Sequence, residues 1–295
     1  MHKKKKKRRK TPTNKQIEIS YYAILYMDVL NQREKLSRIT EIPTKDDDRD
    51  NFVTLLKDTY GVIDGFAQLF ESYFNYASSR RPSPSLPKLH RQHYLRITDS
   101  RIGKTLFSDS MLYYVSLNEE HGALPIIRIL DLMYAASATF IGTLALGHPS
   151  RGGLDVGIAA DFPRVGIYGP GLYKVYQLES EVAQYPRIVI GTELQDYLRV
   201  SSQDYENNPD STFRRSFAET CLSLVHTDSD GISILDCAGK AIREKAPQLR
   251  EAVVQALDYV QSEWERFKKE NNNKLESRYF SLMTYLADRQ KEYWS

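Results

Sequence analysis

Two aspartates lie inside apolar segments of this sequence, at positions where a β-strand normally carries an apolar side chain. Asp28 interrupts the segment 21–30, and Asp109 interrupts the segment 107–115. Burying an ionised carboxylate without a partner costs on the order of several kcal/mol, so two of them in core-type strands require a counter-charge. A pair of hard divalent cations shared between neighbouring strands would supply it. The sequence therefore predicts a metal site at Asp28 and Asp109.

Charge is distributed unevenly along the chain. The formal net charge is +3, but nine of the 41 Lys and Arg residues lie in residues 1–16, which contain no Asp or Glu. Residues 17–295 contain 32 basic and 38 acidic residues, so this part of the chain is mildly acidic. We therefore expect no nucleic-acid partner. The basic run 3–10 lacks the apolar core of a secretory signal, and no run of about 18 apolar residues occurs. We therefore expect a cytoplasmic protein with no membrane span.

Transition-metal chemistry is not expected from the thiol and imidazole content. The chain has two cysteines and six histidines, which are too few and too irregularly spaced for a zinc site or a disulfide framework.

Apolar periodicity predicts an α+β domain built on one sheet, with alternating strands and helices. Strands are predicted at 20–30, 107–115, 151–157 and 187–190. Helices are predicted at 51–76, 125–146 and 172–182, the last opened by a turn at 168–171. Helices at 248–267 and 275–286 are interpreted as a C-terminal helical appendage. The predicted division is a disordered basic tail at 1–16, a domain at 17–200 and a C-terminal helical extension at 201–295.

Four motifs in this order resemble the class III nucleotidyl cyclase catalytic domain over roughly residues 20–195. They are Tyr26-Met27-Asp28, Phe107-Ser108-Asp109, Arg151 to Gly157, and Tyr168-Gly169 through Leu178-Glu179. The closer resemblance is to the bacterial Pycsar pyrimidine (uridylate/cytidylate) cyclases. It rests on Phe107-Ser108-Asp109-Ser110, Arg151-Gly152, Gly169-Pro170, the segments 176–180 and 185–190, and Asp230-Gly231. The resemblance implies a ferredoxin-like class III cyclase domain with a mixed or antiparallel sheet.

The resemblance also assigns roles to individual residues. The residues implied are Asp28, Val29 and Asp109 for two Mg²⁺ or Mn²⁺ ions, Leu30, Asn31, Thr105 and Tyr176 for the nucleotide, and Arg151, Tyr173 and Gln177 for catalysis. The backbone amides of Leu30 and Asn31 would cradle the triphosphate.

The chain departs from the purine-making relatives at the helix after the Tyr-Gly turn. Those enzymes carry an Asn and an Arg four residues apart, and this chain has Tyr173 and Gln177 there. Neither side chain supplies a guanidinium, so the charge that stabilises the transition state is missing or must come from elsewhere. The candidates are Arg151, Lys174 and Arg187.

A second departure concerns base recognition. The adenine-reading Lys and Asp of the purine enzymes are replaced by Thr105 and Gly166, although a register shift of one residue would bring Lys104 into the first position. Tyr173 would narrow the base pocket, which favours a pyrimidine. The alternative interpretation of Tyr173 and Tyr176 is ordinary helix packing.

The resemblance implies a pyrimidine nucleotide cyclase that acts on UTP or CTP, with a product that acts on a separate effector in anti-phage defence. Class III sites form between two protomers, so it also implies a homodimer with shared active sites. A catalytically silent cyclase-like protein that binds a nucleotide or a partner is the alternative from another class. A purine nucleotide cyclase is the third.

Overall fold

Strand β1 (Glu18–Val29) is an interior strand of the sheet, and its apolar residues from Tyr22 to Val29 are almost all buried. In this computed structural model the described residues are 17–30, 32, 37, 41–79, 91, 92, 94, 102–118, 124–163, 165–204 and 209–295. The predicted disordered tail at 1–16 and the predicted ligand Asn31 lie outside them.

The other strands of the described part of the chain form one eight-stranded sheet with β1. They are β2 (Gly103–Phe107), β3 (Ser110–Ser116), β4 (Ser150–Phe162), β5 (Gly166–Tyr168), β6 (Ile188–Ile190), β7 (Val225–Thr227) and β8 (Ser233–Leu235). The strand order is β2-β3-β1-β4-β6-β8-β7, and β5 pairs with β4 away from this path. All pairs are antiparallel except β4 with β6. The predicted α+β class with a mixed, mostly antiparallel sheet is confirmed.

Two long helices cover one face of the sheet. Helix α1 (Asp46–Ser78) and helix α2 (Pro125–Ala145) pack on each other and contact β3. Their apolar residues share one hydrophobic cluster with Ala23, Leu25 and Met27 of β1. Helix α2 is long and apolar enough to cross a membrane, but 89% of its most apolar window is buried inside the protein. Core helices of folded domains share these properties, so this helix is accounted for by the core.

Helix α3 (Pro170–Gln177) covers the opposite face and continues into a π-helical turn (Leu178–Val182). It packs over a smaller apolar cluster that includes Tyr22 and Ile24 of β1. Residues of β1 therefore alternate between the α1–α2 face and the α3 face, as the two-residue period of a strand requires. Both faces of β1 are covered, which explains its almost continuous apolar sequence.

The C-terminal third of the chain adds to the same core. Its helices are α4 (Thr192–Ser202), α5 (Pro209–Leu222), α6 (Lys240–Lys245), α7 (Arg250–Lys269) and α8 (Asn273–Arg289), with a 3₁₀ turn (Pro247–Leu249) and a final π turn (Gln290–Trp294). Helix α7 packs on α2, and the apolar residues of α7 and α8 belong to the main cluster. The expectation of a purely helical extension is wrong in one respect, because β7 and β8 extend the sheet through β6.

The strand predicted at 107–115 is also corrected. Phe107 ends β2, Ser108 and Asp109 form a turn, and β3 starts at Ser110. Ser108 adopts a left-handed conformation with φ +55°, which reverses the chain direction within two residues. The apolar run therefore belongs to two strands of a hairpin, and Asp109 lies at its tip.

Candidate functional site

Asp28 and Asp109 meet where β1 ends beside the β2–β3 turn. The Val29 N–H donates to the Asp109 carbonyl at 2.9 Å, and Asp28 is the register partner of Ser110, the residue after Asp109. The antiparallel pairing of β1 with β3 therefore places the two aspartates next to each other. The sequence-based prediction that they would lie on neighbouring strands holds for Asp28, whereas Asp109 lies in the turn.

The buried-charge argument made from the sequence needs correction for both carboxylates. Asp28 and Asp109 are partly exposed, at the end of a strand and in a turn, and neither is enclosed in the core. What remains is partial burial together with crowding of like charges. Burial is the largest cause, and with the negative charges of Asp109 and Glu179 it raises the pKa of Asp28 to about 6. A nearby cation would stabilise the ionised form of a carboxylate under this repulsion.

A short hydrogen-bond chain orients Asp28. The Tyr26 hydroxyl donates to the Ser110 hydroxyl at 2.7 Å, and the Ser110 hydroxyl donates to one carboxylate oxygen of Asp28 at 3.1 Å. This second bond lowers the pKa of Asp28, but burial outweighs it. The chain fixes the rotamer of Asp28 and leaves its second oxygen for another ligand.

Glu179 is a third carboxylate of the site that the sequence reasoning did not assign. It is 2% exposed and lies in the π-helical turn after α3, where it forms an ion pair with the Nε of Arg151. Burial raises its pKa, Arg151 opposes the rise, and the negative charge of Asp109 adds to it. Single π turns inside helices are common at functional sites. In the sequence, Glu179 ends the motif that runs from Tyr168-Gly169 to Leu178-Glu179, but the sequence alone did not indicate its role.

Arg151 lies on β4, directly beside Asp28 of β1. In the pairing of β1 with β4 its register partner is Asp28. Its positive charge lowers the pKa of Asp28. Asp28, Asp109, Glu179 and Arg151 therefore form one electrostatically linked group on adjacent strands and the π turn.

Glycines of β4 allow helix α3 to approach the sheet with almost no spacing. A Cβ on Gly157 would lie 2.5 Å from the Cα of Gly171, and one on Gly153 would lie 2.5 Å from the Val175 carbonyl oxygen. The glycines of β4 thus permit a close approach to the backbone, and the approaching group is α3. This contact places Tyr176 edge-to-face on Tyr26, with ring centroids 5.8 Å apart.

Two of the predicted site residues on α3 point to solvent. Tyr173 is 62% exposed and Tyr176 is 49% exposed, so neither is an ordinary core-packing residue, although Tyr176 contacts Tyr26. Gln177 ends α3 immediately before the π turn. Phe107, on the same side of the sheet, is 78% exposed. An aromatic surface therefore extends beyond the carboxylate group.

The two positions predicted to read the base lie against each other. A Cβ on Gly166 would be 2.3 Å from the hydroxyl oxygen of Thr105, and Gly166 has φ +97°, which favours glycine. Lys104, the alternative under a shifted register, forms an ion pair with Glu71 of α1 and so faces the other side of the sheet. The observed register places Thr105 beside Gly166.

The three cations considered for transition-state charge are all paired. Arg151 binds Glu179, and Lys174 forms an ion pair with Glu193. Arg187 is buried and pairs with Asp228 at 2.9 Å and with Asp230 at 2.8 Å, far into the core beside β6. Arg187 is thus a structural residue.

The predicted phosphate-binding amide of Leu30 is also engaged by another group of the protein. The Leu30 N–H donates to the Pro149 carbonyl at 2.9 Å and is not available to a triphosphate. The predicted role of this amide is wrong for this conformation. The Val29 N–H is likewise engaged, by Asp109, which leaves the Val29 carbonyl as its possible contribution to metal binding.

Within the described ranges, no group of three or more His, Cys, Asp and Glu residues is arranged to hold a metal ion. Asp28 and Asp109 supply two carboxylates, which suits a Mg²⁺ ion that keeps waters and takes its remaining ligands from substrate phosphates. The donor set therefore fits a metal that arrives with a nucleotide better than a metal bound by the protein alone.

Comparison of the sequence with protein-family models finds no matching family, and comparison with curated proteins finds no significant match.

Proposed function

We propose that this protein is a class III nucleotidyl cyclase that converts UTP or CTP into the 3′,5′-cyclic monophosphate and pyrophosphate. The observation that carries the proposal is the contact of β1 with the β2–β3 turn, which brings Asp28 beside Asp109. There, burial and the negative charges of Asp109 and Glu179 raise the pKa of Asp28 to about 6. Two partly exposed carboxylates under mutual repulsion are a reasonable acceptor for divalent cations.

The topology supports the proposed cyclase fold. Among the elements that the structure describes, the order from the first strand is β1-α1-β2-β3-α2-β4, and these strands are antiparallel in the order β2-β3-β1-β4. This is the arrangement of the ferredoxin-like split βαβ unit. It places the end of β1 and the β2–β3 turn at the same edge, which the two-aspartate site requires.

Asp28, Asp109 and the Val29 carbonyl are proposed to hold two Mg²⁺ or Mn²⁺ ions. Bound divalent ions would activate the ribose 3′-hydroxyl and neutralise charge on the departing pyrophosphate. The protein residues have separate tasks. Ser110 fixes the rotamer of Asp28, and Glu179 holds Arg151 beside it.

The proposed preference for a pyrimidine rests on the contact between Thr105 and Gly166. The hydroxyl of Thr105 is the only polar side-chain group of the pair, because Gly166 has no side chain to hydrogen-bond a purine edge. Tyr173 projects from α3 with enough free surface to limit the depth of a base pocket. Steric rejection of a larger base discriminates more strongly than a lost methylene contact.

The proposal includes a homodimer with shared active sites, a cytoplasmic location and a cyclic product that acts on a separate effector. The exposed side chains of Phe107 and Tyr173 support an interface on the α3 side of the sheet. Mixing inactive Asp28→Ala protein with an inactive variant at Tyr173, under proven subunit exchange, should restore activity if each site draws residues from both copies. Failure to restore activity would argue for complete sites within one copy.

A second candidate is a catalytically silent protein that binds a nucleotide through the same surface. The observation that favours it is the pairing of Arg151 with Glu179, together with Gln177 at the position where purine cyclases carry an Arg. Without a free guanidinium, binding could occur without turnover.

The test is incubation of the purified protein with each nucleoside triphosphate and Mn²⁺, with the products identified by mass. We expect cyclic UMP or cyclic CMP from the parent protein and none from Asp109→Asn. Asp58→Asn is the matched control, since Asp58 is exposed on α1, on the other side of the sheet. Nucleotide binding without a cyclic product would favour the silent protein. Cyclic AMP or cyclic GMP as the main product would refute the pyrimidine assignment.

A further inference from the structure

The start of β1 carries exposed apolar side chains on the α1–α2 face of the sheet. Ala23 and Leu25 of β1 lie in the main apolar cluster on that face. Side chains of a strand alternate between its two faces, so Tyr21 and Ile19 continue the same row beyond Ala23. Both Tyr21 and Ile19 are exposed. The helices α1 and α2 therefore leave this end of the face uncovered.

The hairpin of β4 and β5 widens this row of exposed side chains. Ile158 is the register partner of Tyr21. Ala160 pairs with Ile19 on one side and with Tyr168 on the other. Paired residues of antiparallel strands share one face, with Cβ atoms about 4.5–5.5 Å apart. We call the surface formed by Ile19, Tyr21, Ile158 and Tyr168 the apolar patch, and its exposed fractions run from 48% for Ile158 to 74% for Ile19.

Acidic side chains at this end of the sheet lie on the other face. Glu18 of β1 is the register partner of Asp161 of β4. The Ser116 hydroxyl donates to the Glu18 carboxylate at 3.1 Å, and the Tyr114 hydroxyl donates to Asp161 at 3.1 Å. Tyr114 belongs to the cluster beneath α3. On the face of the patch, the residues of β1, β4 and β5 are all uncharged, so these strands present no carboxylate that would repel an anionic surface.

A basic run precedes the apolar patch in the sequence. Residues 3–10 are eight consecutive Lys and Arg residues, and six residues separate Lys10 from Ile17. A fully extended connection from Lys10 to Ile17 spans at most about 25 Å. The basic run is therefore tethered close to the patch. Its charge is opposite to that of an anionic surface, and the patch beside it is apolar.

We propose that the apolar patch and the basic run together bind the surface of an anionic lipid bilayer without spanning it. Lys and Arg are attracted to anionic headgroups, and Tyr and Ile side chains insert at the boundary between headgroups and acyl chains. Either attraction alone gives weak, reversible binding, whereas the two together hold a protein on the bilayer.

Other occupants of this surface match only half of it. A nucleic acid would use the positive charge of the basic run and leave the aliphatic side chains exposed to water. A second copy of the chain would cover the apolar patch but would bring an equally basic run, which repels the first. The inference does not depend on the proposed function, and the interface proposed there lies on the α3 side of the sheet, which leaves the patch open in a dimer.

The test is sedimentation of the full-length protein with sucrose-loaded vesicles. One set contains equal parts of phosphatidylglycerol and phosphatidylcholine, and the other contains phosphatidylcholine alone. We expect binding to the anionic vesicles only. Raising NaCl from about 0.1 M to about 0.5 M should weaken it, because salt shortens the range of the attraction. Deletion of residues 1–16 should lower the partition coefficient about hundredfold or more.

Substitutions in the patch test the apolar contribution. Ile19→Thr/Tyr168→Thr should lower the partition coefficient about ten- to hundredfold, because two apolar side chains no longer insert. Val200→Thr is the matched control, since Val200 of α4 is exposed to nearly the same degree as Ile19 and lies outside the patch. Threonine retains a high strand propensity, so the double variant should melt near the parent temperature. If it does not fold, Ile19→Thr alone replaces it.

Four results would overturn the inference. The first is no binding of the parent protein to anionic vesicles. The second is equal binding by the parent and Ile19→Thr/Tyr168→Thr, which would assign the attraction to charge alone. The third is a changed oligomeric state of the double variant in sedimentation velocity without vesicles, which would identify the patch as a subunit interface. The fourth is binding to duplex DNA that survives the double substitution while vesicle binding is absent, which would identify a nucleic acid as the partner.

Discussion

Replacing Asp28 with Asn should stabilise the metal-free protein at neutral and alkaline pH. The pKa of Asp28 rises from its ordinary value of 3.8 to about 6 because of burial and the charges of Asp109 and Glu179. A rise of this size corresponds to about 3 kcal/mol of free energy of unfolding. Asp28 is partly exposed, so solvent screening reduces the expected gain to about 1–2 kcal/mol.

The pH dependence follows from the direction of the shift. Below about pH 4 the Asp28 carboxyl is neutral in both the folded and the unfolded chain, and it has no effect on stability. Between about pH 4 and pH 6 the unfolded chain ionises first, so the wild-type protein loses stability as the pH rises. Above about pH 6 the loss is complete. The advantage of Asp28→Asn should therefore be absent at pH 4 and full at pH 8.

The measurement is urea unfolding followed by circular dichroism, in EDTA, at both pH values. Asn keeps an oxygen that can accept the Ser110 hydroxyl, so the hydrogen bond of 3.1 Å is retained and the comparison isolates the charge. Asp58→Asn, on the exposed side of α1, is the control and should show no such pH dependence. Addition of Mg²⁺ should raise the stability of the wild-type protein and not that of Asp28→Asn.

Two results would refute this reasoning. If Asp28→Asn is no more stable than wild type at pH 8, like-charge repulsion is not significant at this site. If its advantage persists at pH 4, the gain comes from packing and not from ionisation.

Three further predictions concern packing, the base pocket and the basic segment. Gly157→Ala should lower the free energy of unfolding by about 1–3 kcal/mol, because the added Cβ would lie 2.5 Å from backbone, whereas Gly61→Ala, with open space in α1, should raise it by about 0.5–1 kcal/mol in the same urea assay. Tyr173→Ala should increase cyclisation of ATP relative to UTP, measured by mass of the products, and an unchanged ratio would remove Tyr173 from the base pocket. Deletion of residues 1–16 should leave the product yield unchanged, since a Lys-rich segment cannot bury enough apolar surface to pack on the domain. A large loss of yield with an unchanged melting temperature would instead assign those residues to the substrate.

The α+β class and the sheet-forming segments were predictable from sequence, because apolar periodicity reports which faces are buried. Strand β1 is an example, since its residues pack against helices on both faces and its sequence is almost continuously apolar. The turn at Ser108 and Asp109 was not predictable in the same way. Its left-handed residue is a serine and not a glycine or asparagine, so the usual turn signal is absent.

The carboxylate pair was predicted from sequence, but its environment was not. Both aspartates were expected in the core, and both are partly exposed because one strand ends and one hairpin turns at that place. Glu179 could not be assigned a role from the sequence. Its importance depends on its ion pair with Arg151, which is 28 residues away in the sequence, and local patterns contain no information on such a contact.

The central position of β1 has a consequence for how the chain folds during synthesis. The strand emerges early, yet its neighbours β3 and β4 follow much later, and the hydrogen bond of Ser110 to Asp28 alone joins residues 82 apart. At about 5–20 residues per second, a nascent chain spends several seconds with a 12-residue apolar strand that has two open edges. Contacts at such separations form slowly because a long loop must close first. The carboxylate pair thus assembles only after the β2–β3 hairpin has been synthesised, and β1 is the segment on which a chaperone or an aggregation nucleus would act first.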